Sequence, residues 1–309
     1  MEYVSVAKMA EKWGISERSV RNYCANGRIR DAKLIGKTWY IPENAKKPDR
    51  VNKKKDTPSL LQILRGQKAA KMTGGIYHKV QIDLTYNSNH IEGSRLTHDQ
   101  TRYIFETNTI GFENEAVNVD DVIETANHFR CIDIVIDQAG SALTEKFIKE
   151  LHYVLKTGTS DSRKDWFAVG EYKKLPNEVG GNDTTLPENV AAEMCKLLAN
   201  YNSTASKNFE DIVAFHVAFE RIHPFQDGNG RVGRLILFKE CLRHDVMPFI
   251  IDDKRRGRYL EGLREWDACK DKLLEVVLEA QHRYGAQVEL QKLLASNQRF
   301  ASKDRRCGR

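Results

Sequence analysis

The sequence predicts a mainly α protein: a large helical body broken by one β-hairpin, preceded by a small helix–turn–helix unit that carries a hairpin of its own. Apolar residues recur at helical spacing in Val122, Ile123, Ala126 and Phe129, and again in Phe147, Leu151, Val154 and Leu155. Residues 46–58 are dominated by charge and two prolines, bury little, and read as a linker. Charge is lopsided across that linker: residues 1–56 hold 14 Lys+Arg against 7 Asp+Glu, leaving 35 against 36 for the remainder. The whole surplus behind the net charge of +6 therefore lies at the front, which is expected to meet a polyanion.

The elements follow in order. Ser5 is placed to cap a helix from Val6 to about Trp13, Gly14 to end it, and Ser16 to cap a second helix from Glu17 to about Ala25, stopped by Asn26-Gly27. The second helix offers Arg18, Ser19, Arg21 and Asn22 to a major groove, beside Ser16 at its head. Gly36-Lys37 joins two strand-like pieces into a wing whose Lys37 reaches backbone phosphates. Residues 1–45 form this unit, 46–58 the linker, 59–296 the body and 297–309 a basic tail. Within the body, residues 167–185 bear Pro176 and Gly180-Gly181 between β-compatible pieces and read as a hairpin. His152 and His216 fall in helical patterns and are expected in the core.

Several classes are excluded. A chain of 309 residues that is 40% hydrophobic and 30% charged has room for two globular parts and is neither disordered nor collagenous. No apolar run approaches the roughly 20 residues that span a bilayer, so no membrane partner is expected. The six cysteines form no C-x-x-C pair, and with no secretory h-region at the front they read as reduced thiols of a cytoplasmic protein.

Chemistry concentrates in Arg221-Ile222-His223-Pro224-Phe225-Gln226-Asp227-Gly228-Asn229-Gly230-Arg231-Val232-Gly233-Arg234. Gly228-Asn229-Gly230 permits backbone angles that turn successive N–H groups inward as an anion nest at the start of a helix. Arg231 and Arg234, at i and i+3, share a helix face and reach a polyphosphate over that nest. Asp227 suits Mg²⁺, which takes one or two carboxylates and completes its shell with phosphate oxygens. His223 is a natural proton acceptor at neutral pH.

This segment resembles the Fic family signature H-x-F-x-[D/E]-G-N-G-R-x-x-R, and the resemblance extends from about Ile76 to Arg283. It implies a helical Fic core and a protein adenylyltransferase that moves AMP from ATP to a Tyr, Thr or Ser hydroxyl of a target protein. His223 is then the general base and Asp227 the Mg²⁺ ligand. Phe225, Gly228, Asn229, Gly230, Arg231 and Arg234 form the ATP site, with Arg234 on the γ-phosphate. Gly170-Glu171-Tyr172-Lys173 and residues 177–181 resemble the flap that aligns a target by strand addition, so Lys173, Asn177, Glu178, Val179, Gly180 and Gly181 are the implied target contacts. Family members often carry Arg where Lys173 stands.

Ser88-Asn89-His90-Ile91-Glu92-Gly93 resembles the family's inhibitory pattern [S/T]-x-x-x-E-[G/N]. Ser88 and Glu92 share a helix face. The resemblance implies that Glu92 pairs with Arg234 and denies it to the γ-phosphate, since an Arg forked onto a carboxylate cannot also clamp phosphate. Residues 4–42 resemble excisionase-type, MerR-like winged helix-turn-helix modules, which implies duplex DNA as a partner and a homodimer reading two half-sites. Two other functions remain open on sequence: a transcriptional regulator whose Fic body senses nucleotide, and an enzyme that removes AMP.

Overall fold

The computed structural model describes residues 2–25, 28–36, 38–48, 58–111 and 116–304, the side chains at 22, 25, 182 and 295–304 excepted. The expected contacts of Asn22 and Lys37, and the stop at Asn26-Gly27, lie outside the described residues. The chain divides into two compact units, Met1–Thr57 and Pro58–Arg309.

In the first unit, β1 (Tyr3–Ser5) leads into α1 (Val6–Trp13), then α2 (Glu17–Ala25), β2 (Lys33–Ile35) and β3 (Thr38–Pro42). The Ser5 hydroxyl accepts from the Lys8 N–H at 3.3 Å, and Gly14 ends α1 in the left-handed region at φ 61°. The strands form an antiparallel sheet in the order β1-β3-β2. β1 went unpredicted because three residues carry no readable alternation. Val4, Met9, Val20, Ile29 and Ile41 close a core between sheet and helices. Arg18 and Arg21 stay exposed on α2, where Arg21 pairs with Glu17 at 2.6 Å.

The second unit runs α3 (Leu60–Ala69), α4 (Ile76–Ile91), α5 (His98–Thr107), α6 (Val119–Gln138), α7 (Glu145–Lys156), a 3₁₀ turn (Asp161–Arg163), β4 (Glu178–Val179), β5 (Asn182–Asp183), α8 (Pro187–Asn202), α9 (Phe209–Ile222), α10 (Asn229–Arg243), α11 (Asp253–Arg264) and α12 (Lys270–Asp304). α12 carries on through residues expected as an unstructured tail, because no Gly or Pro between Ala286 and Asp304 stops it. No described helix is long and apolar enough to cross a membrane.

α10 organises the body. Residues 229–242 are all buried, with Val232, Leu235, Ile236 and Phe238 in one apolar cluster and Leu237 and Cys241 in another. A helix enclosed on all sides has no solvated face for its charges, so each must find a partner inside. α6 shows the consequence. Its predicted apolar stripe is only partly covered at Val122, Ile123 and Ala126, whereas Glu124, Thr125, Asn127 and His128 are buried. These polar residues face inward because each is paired: Thr125 accepts from Asn89, Asn127 donates to the carbonyls of Leu155 and Thr157, and His128 bonds Thr85. The hairpin is shorter than expected, with Glu178 opposite Asp183 and Val179 opposite Asn182. Gly180 and Gly181 turn it at φ 59° and 79°, the pair of positive angles that a two-residue turn of this hand requires.

His152 and His216 are enclosed as expected, His128 is enclosed as well, and burial pushes each imidazole down to about 3. An unfolded chain protonates these rings near pH 6.5, so between pH 6.5 and 3 it binds more protons than the native chain and stability falls as pH falls. Glu220 opposes this, since burial raises its carboxyl to about 8 and the native state holds that proton. Three rings against one carboxyl leave a net loss of roughly 3 kcal/mol per pH unit below about pH 6. The urea midpoint is expected to drop steeply from pH 7 to pH 5. A flat midpoint contradicts it.

Candidate active site

The predicted motif forms the corner between α9 and α10. His223 caps α9 with φ 51°, a left-handed angle uncommon for a residue with a side chain, and its N–H closes on the Phe219 carbonyl at 3.0 Å. Its Nδ1 faces the Glu220 carbonyl at 3.2 Å, which fixes the proton on Nδ1 and leaves Nε2 as the acceptor. Burial lowers the imidazole below its ordinary range, with the Lys173 ammonium acting in the same sense. His223 is thus held neutral, with Nε2 unprotonated.

The corner is held by side chains that sequence alone suggested for ligand contact. Asn229 accepts from the Phe225 N–H and donates to the Phe225 carbonyl, both at 2.8 Å, so its own side chain is spent on the loop. Phe225 is fully buried, stacked on His152 with ring centroids 4.0 Å apart and an interplanar angle of 4°. The reading of Phe225 as an ATP contact is therefore corrected: no face of the ring is open to a nucleotide. For Asn229, only the backbone N–H is available to a ligand. His152, expected merely in the core, accepts from the Gly170 N–H at 2.9 Å through Nδ1 and donates through Nε2 to the Asp227 carbonyl at 3.1 Å. Gly228 (φ 81°) then opens α10 in a conformation that suits glycine.

Two sets of ion pairs flank the head of α10. On one side, Arg234 donates to Ser88 Oγ at 3.0 Å, to the Ser88 carbonyl at 2.9 Å and to Glu92 Oε1 at 2.6 Å. The Glu92 carboxylate lies against Gly230, where any side chain would collide with it. An anion thus sits at the N-terminus of α10, where the helix dipole favours one. Glu92, Ser88 and Arg234 are brought together as the sequence implied. Glu220, pushed up to about 8, and Tyr259 lie beneath, close enough to act on Arg234 electrostatically.

On the other side, Arg231 is 5% exposed and bound to Glu124 and, at 3.1 Å, to Asp227 Oδ2. Its guanidinium is engaged by these two carboxylates, as that of Arg234 is by Glu92. Lys156 reaches Asp227 Oδ2 at 2.6 Å and Glu124 at 2.5 Å. These cations hold the Asp227 carboxyl well below the usual carboxylate range against the opposing effect of its burial. Sequence reasoning missed Glu124 and Lys156, which lie 107 and 71 residues from their partners in the motif and belong to no short pattern.

Among the described residues no group of three or more His, Cys, Asp or Glu is arranged to hold a metal. Asp227 nevertheless fits Mg²⁺ carried by phosphates: it is a single ionised carboxylate, 46% exposed, beside an anion-binding helix end.

The hairpin overlies this corner. The Lys173 N–H donates to the Pro224 carbonyl at 2.9 Å and Asn177 donates to the Phe225 carbonyl at 3.0 Å. Lys173 itself is buried, its ammonium pushed down to about 8 by burial and spent on Asn177 Oδ1 and Thr184 Oγ1, each at 2.6 Å. It fastens the hairpin from inside, and the implied target contact at Lys173 is corrected accordingly. Glu178, Val179, Gly180 and Gly181 are exposed along the outer edge.

Fold and site together define a helical body in which a histidine, an acidic residue and a glycine-opened helix N-terminus lie under a β-hairpin. Residues 142–240 match the family model described as "Fic/DOC family". The chain is 27% identical over 229 residues to the Protein adenylyltransferase Fic of Culex quinquefasciatus, covering 71% of this chain and 42% of that protein. It is 30% identical over 190 residues to the enzyme of the same name from Drosophila melanogaster, covering 58% of this chain and 36% of that one. The chain thus matches about two fifths of the length of these relatives. Its fold is similar to a Fic domain containing signaling protein from Bacteroides thetaiotaomicron, with TM-score 0.60, 25% identity, and coverage of 75% of this chain and 94% of that one. It is also similar in fold to Fic-1 (residues 134–508) from C. elegans, with TM-score 0.59, 17% identity, and coverage of 76% and 72%. The family match itself covers residues 142–240.

Asn229→Ala tests the corner's internal bracing. It leaves the buried N–H of Phe225 without its partner and its carbonyl with Asn177 as the remaining donor, and is expected to destabilise the body by about 1–3 kcal/mol in urea unfolding. An unchanged midpoint means that Asn229 does not brace the loop.

Proposed function

We propose that the body is a protein adenylyltransferase that uses ATP to modify a Tyr, Thr or Ser hydroxyl of another protein, and that Glu92 restrains it. The observation that carries this reading is the Glu92 carboxylate seated on Arg234 at the head of α10, across the corner from His223. In the reaction His223 Nε2 takes the proton from the target hydroxyl, the hydroxyl oxygen bonds to the α-phosphorus, and the bond to the β-phosphate oxygen breaks to release pyrophosphate. The backbone N–H groups at Gly228, Asn229 and Gly230 receive phosphate oxygens, and Arg234, once free of Glu92, holds the γ-phosphate. Asp227 is the residue that would hold Mg²⁺, which supplies charge neutralisation on the phosphates when bound. The exposed edge from Glu178 to Gly181 lays the target alongside by main-chain pairing, and Asn177 anchors that edge to the loop.

The first unit is proposed to bind duplex DNA through α2 and its wing, with Ser16, Ser19, Arg18 and Arg21 toward the groove, and to do so as a homodimer in the cytoplasm. A second reading of the body, removal of AMP by water placed at Glu92, draws support from the influence of the Glu92 carboxylate on His223.

Three measurements test these assignments. His223→Ala is expected to lower transfer of labelled AMP by about 10²- to 10⁴-fold with ATP binding retained, the range for loss of a general base. Wild-type transfer by this variant removes His223 from the mechanism. Glu92→Gly is expected to raise transfer by roughly tenfold or more, the equivalent of one charge-assisted hydrogen bond, and Glu92→Gly with Arg234→Ala to lose that gain. Equal rates for wild type and Glu92→Gly at saturating Mg·ATP count against the restraint. The intact chain is expected to shift duplex DNA in gels at low salt, with log K falling by about 0.9 per neutralised phosphate per unit of log salt, and Arg18→Glu with Arg21→Glu to abolish the shift. Undiminished binding by that double variant refutes the role given to α2.

A further inference from the structure

Lys156, the last residue of α7, is placed where a lysine is expensive. Its side chain is 2% exposed, and a buried ammonium costs several kcal/mol of desolvation before any partner is counted. It meets Glu124 from α6 at 2.5 Å, Asp161 from the 3₁₀ turn at 3.2 Å and Asp227 from the motif loop at 2.6 Å, with the Phe167 ring centroid 5.4 Å away. Leu155 beside it and the Phe167 ring are apolar and buried, so a Met at 156 would be accommodated. Buried ion networks of this kind are commonly no more stable than well-packed apolar replacements. Apolar packing alone therefore does not account for the ammonium, whose removal would leave the carboxylates around it a cation short.

Geometry does. Asp227 is 46% exposed and leans out of the body, yet Lys156 from α7 and Arg231 from α10 both end on its Oδ2. One contact would leave the carboxylate free to swing; two, from different helices, fix its orientation. Arg231 is itself fastened to Glu124, and Glu124 is shared with Lys156, so the four side chains form a closed ring. We propose that Lys156 is a positioning residue for Asp227, holding one carboxylate oxygen inward so that the group is presented in a single orientation to the divalent cation that accompanies the nucleotide. This rests on the reading of Asp227 as the Mg²⁺ ligand.

The test uses the full-length chain carrying Glu92→Gly, so that nucleotide binding is not opposed by the carboxylate on Arg234. ATP affinity is measured by calorimetry in EDTA and in millimolar Mg²⁺, and the gain that Mg²⁺ confers is the readout. Adding Lys156→Met is expected to shrink that gain by about tenfold, the lower end for loss of a residue that orients a metal ligand, with affinity in EDTA unchanged. The melting temperature is expected to fall, since the surrounding carboxylates are left a cation short, and it is the confinement of the affinity loss to the Mg²⁺ arm that a merely structural lysine would not produce. An undiminished Mg²⁺ gain in Lys156→Met, or an equal loss in EDTA and in Mg²⁺, overturns the proposal. Should Lys156→Met fail to fold, Lys156→Gln, which keeps a donor and drops the charge, is read in the same way. Asp227→Asn runs in parallel. If it keeps the full Mg²⁺ gain, the metal assignment falls and the role of Lys156 with it; if it loses the gain while Lys156→Met keeps it, only the Lys156 proposal falls.

Discussion

Two arginines on a helix with no solvated face are the constraint around which the body is arranged. Arg231 and Arg234 are 5% and 8% exposed on α10, and neither can shed its charge. Each must therefore be met by anions brought from elsewhere in the chain. Arg234 draws in the end of α4 through Ser88 and Glu92, and Arg231 draws in α6 through Glu124. Glu124 admits Lys156 from α7, and Lys156 and Arg231 together hold Asp227. The apolar clusters fix where the helices pack. The ion pairs decide which faces point inward, which is why α6 turns a polar side to the core.

The two sides of α10 differ in a way that bears on function. Asp227 is gripped by two buried cations and stays where it is, whereas Glu92 touches Arg234 from a helix end and is itself 30% exposed. A carboxylate at the rim regains hydration when it leaves, but buried Arg234 keeps only the neutral groups of Ser88, so its release costs little only if another anion takes the place of Glu92. Arg234 would keep Ser88 in either state. The helix end that now holds the carboxylate favours any anion that would replace it, so departure of Glu92 and arrival of another anion are coupled.

How far the sequence revealed this depended on the range of the interactions. Local signals were legible: the Ser5 cap and Gly14 stop of α1, the glycine pair of the hairpin, and the corner of His223 and Asp227 at the head of α10. Glu92 was also legible, because its pattern carries its own spacing to Ser88. Glu124 and Lys156 were not, since a lone acid or base within a helix gives no sign that its partner stands 107 or 71 residues away. Phe225, Asn229 and Lys173 were misread for a different reason. The resemblance assigned them to ligand or target contact by their place in the motif and flap, whereas the fold spends their side chains on bracing: one stacks, one staples the loop and one fastens the hairpin.

That bracing explains the strain at His223. A left-handed residue with a side chain persists only where its surroundings over-determine it. Here Phe225 is locked by Asn229 and His152 just beyond it, Pro224 accepts from the hairpin just after it, and the Glu220 carbonyl holds its ring from before. With Nδ1 occupied by that carbonyl and burial disfavouring the charged ring, the single unassigned nitrogen is both unprotonated and aimed by the corner itself. A relaxed backbone at 223 would swing the ring off that axis while leaving every residue of the motif present. The positive φ is therefore part of what aims this nitrogen, and residues that the resemblance assigned to ligand contact are among those that impose it.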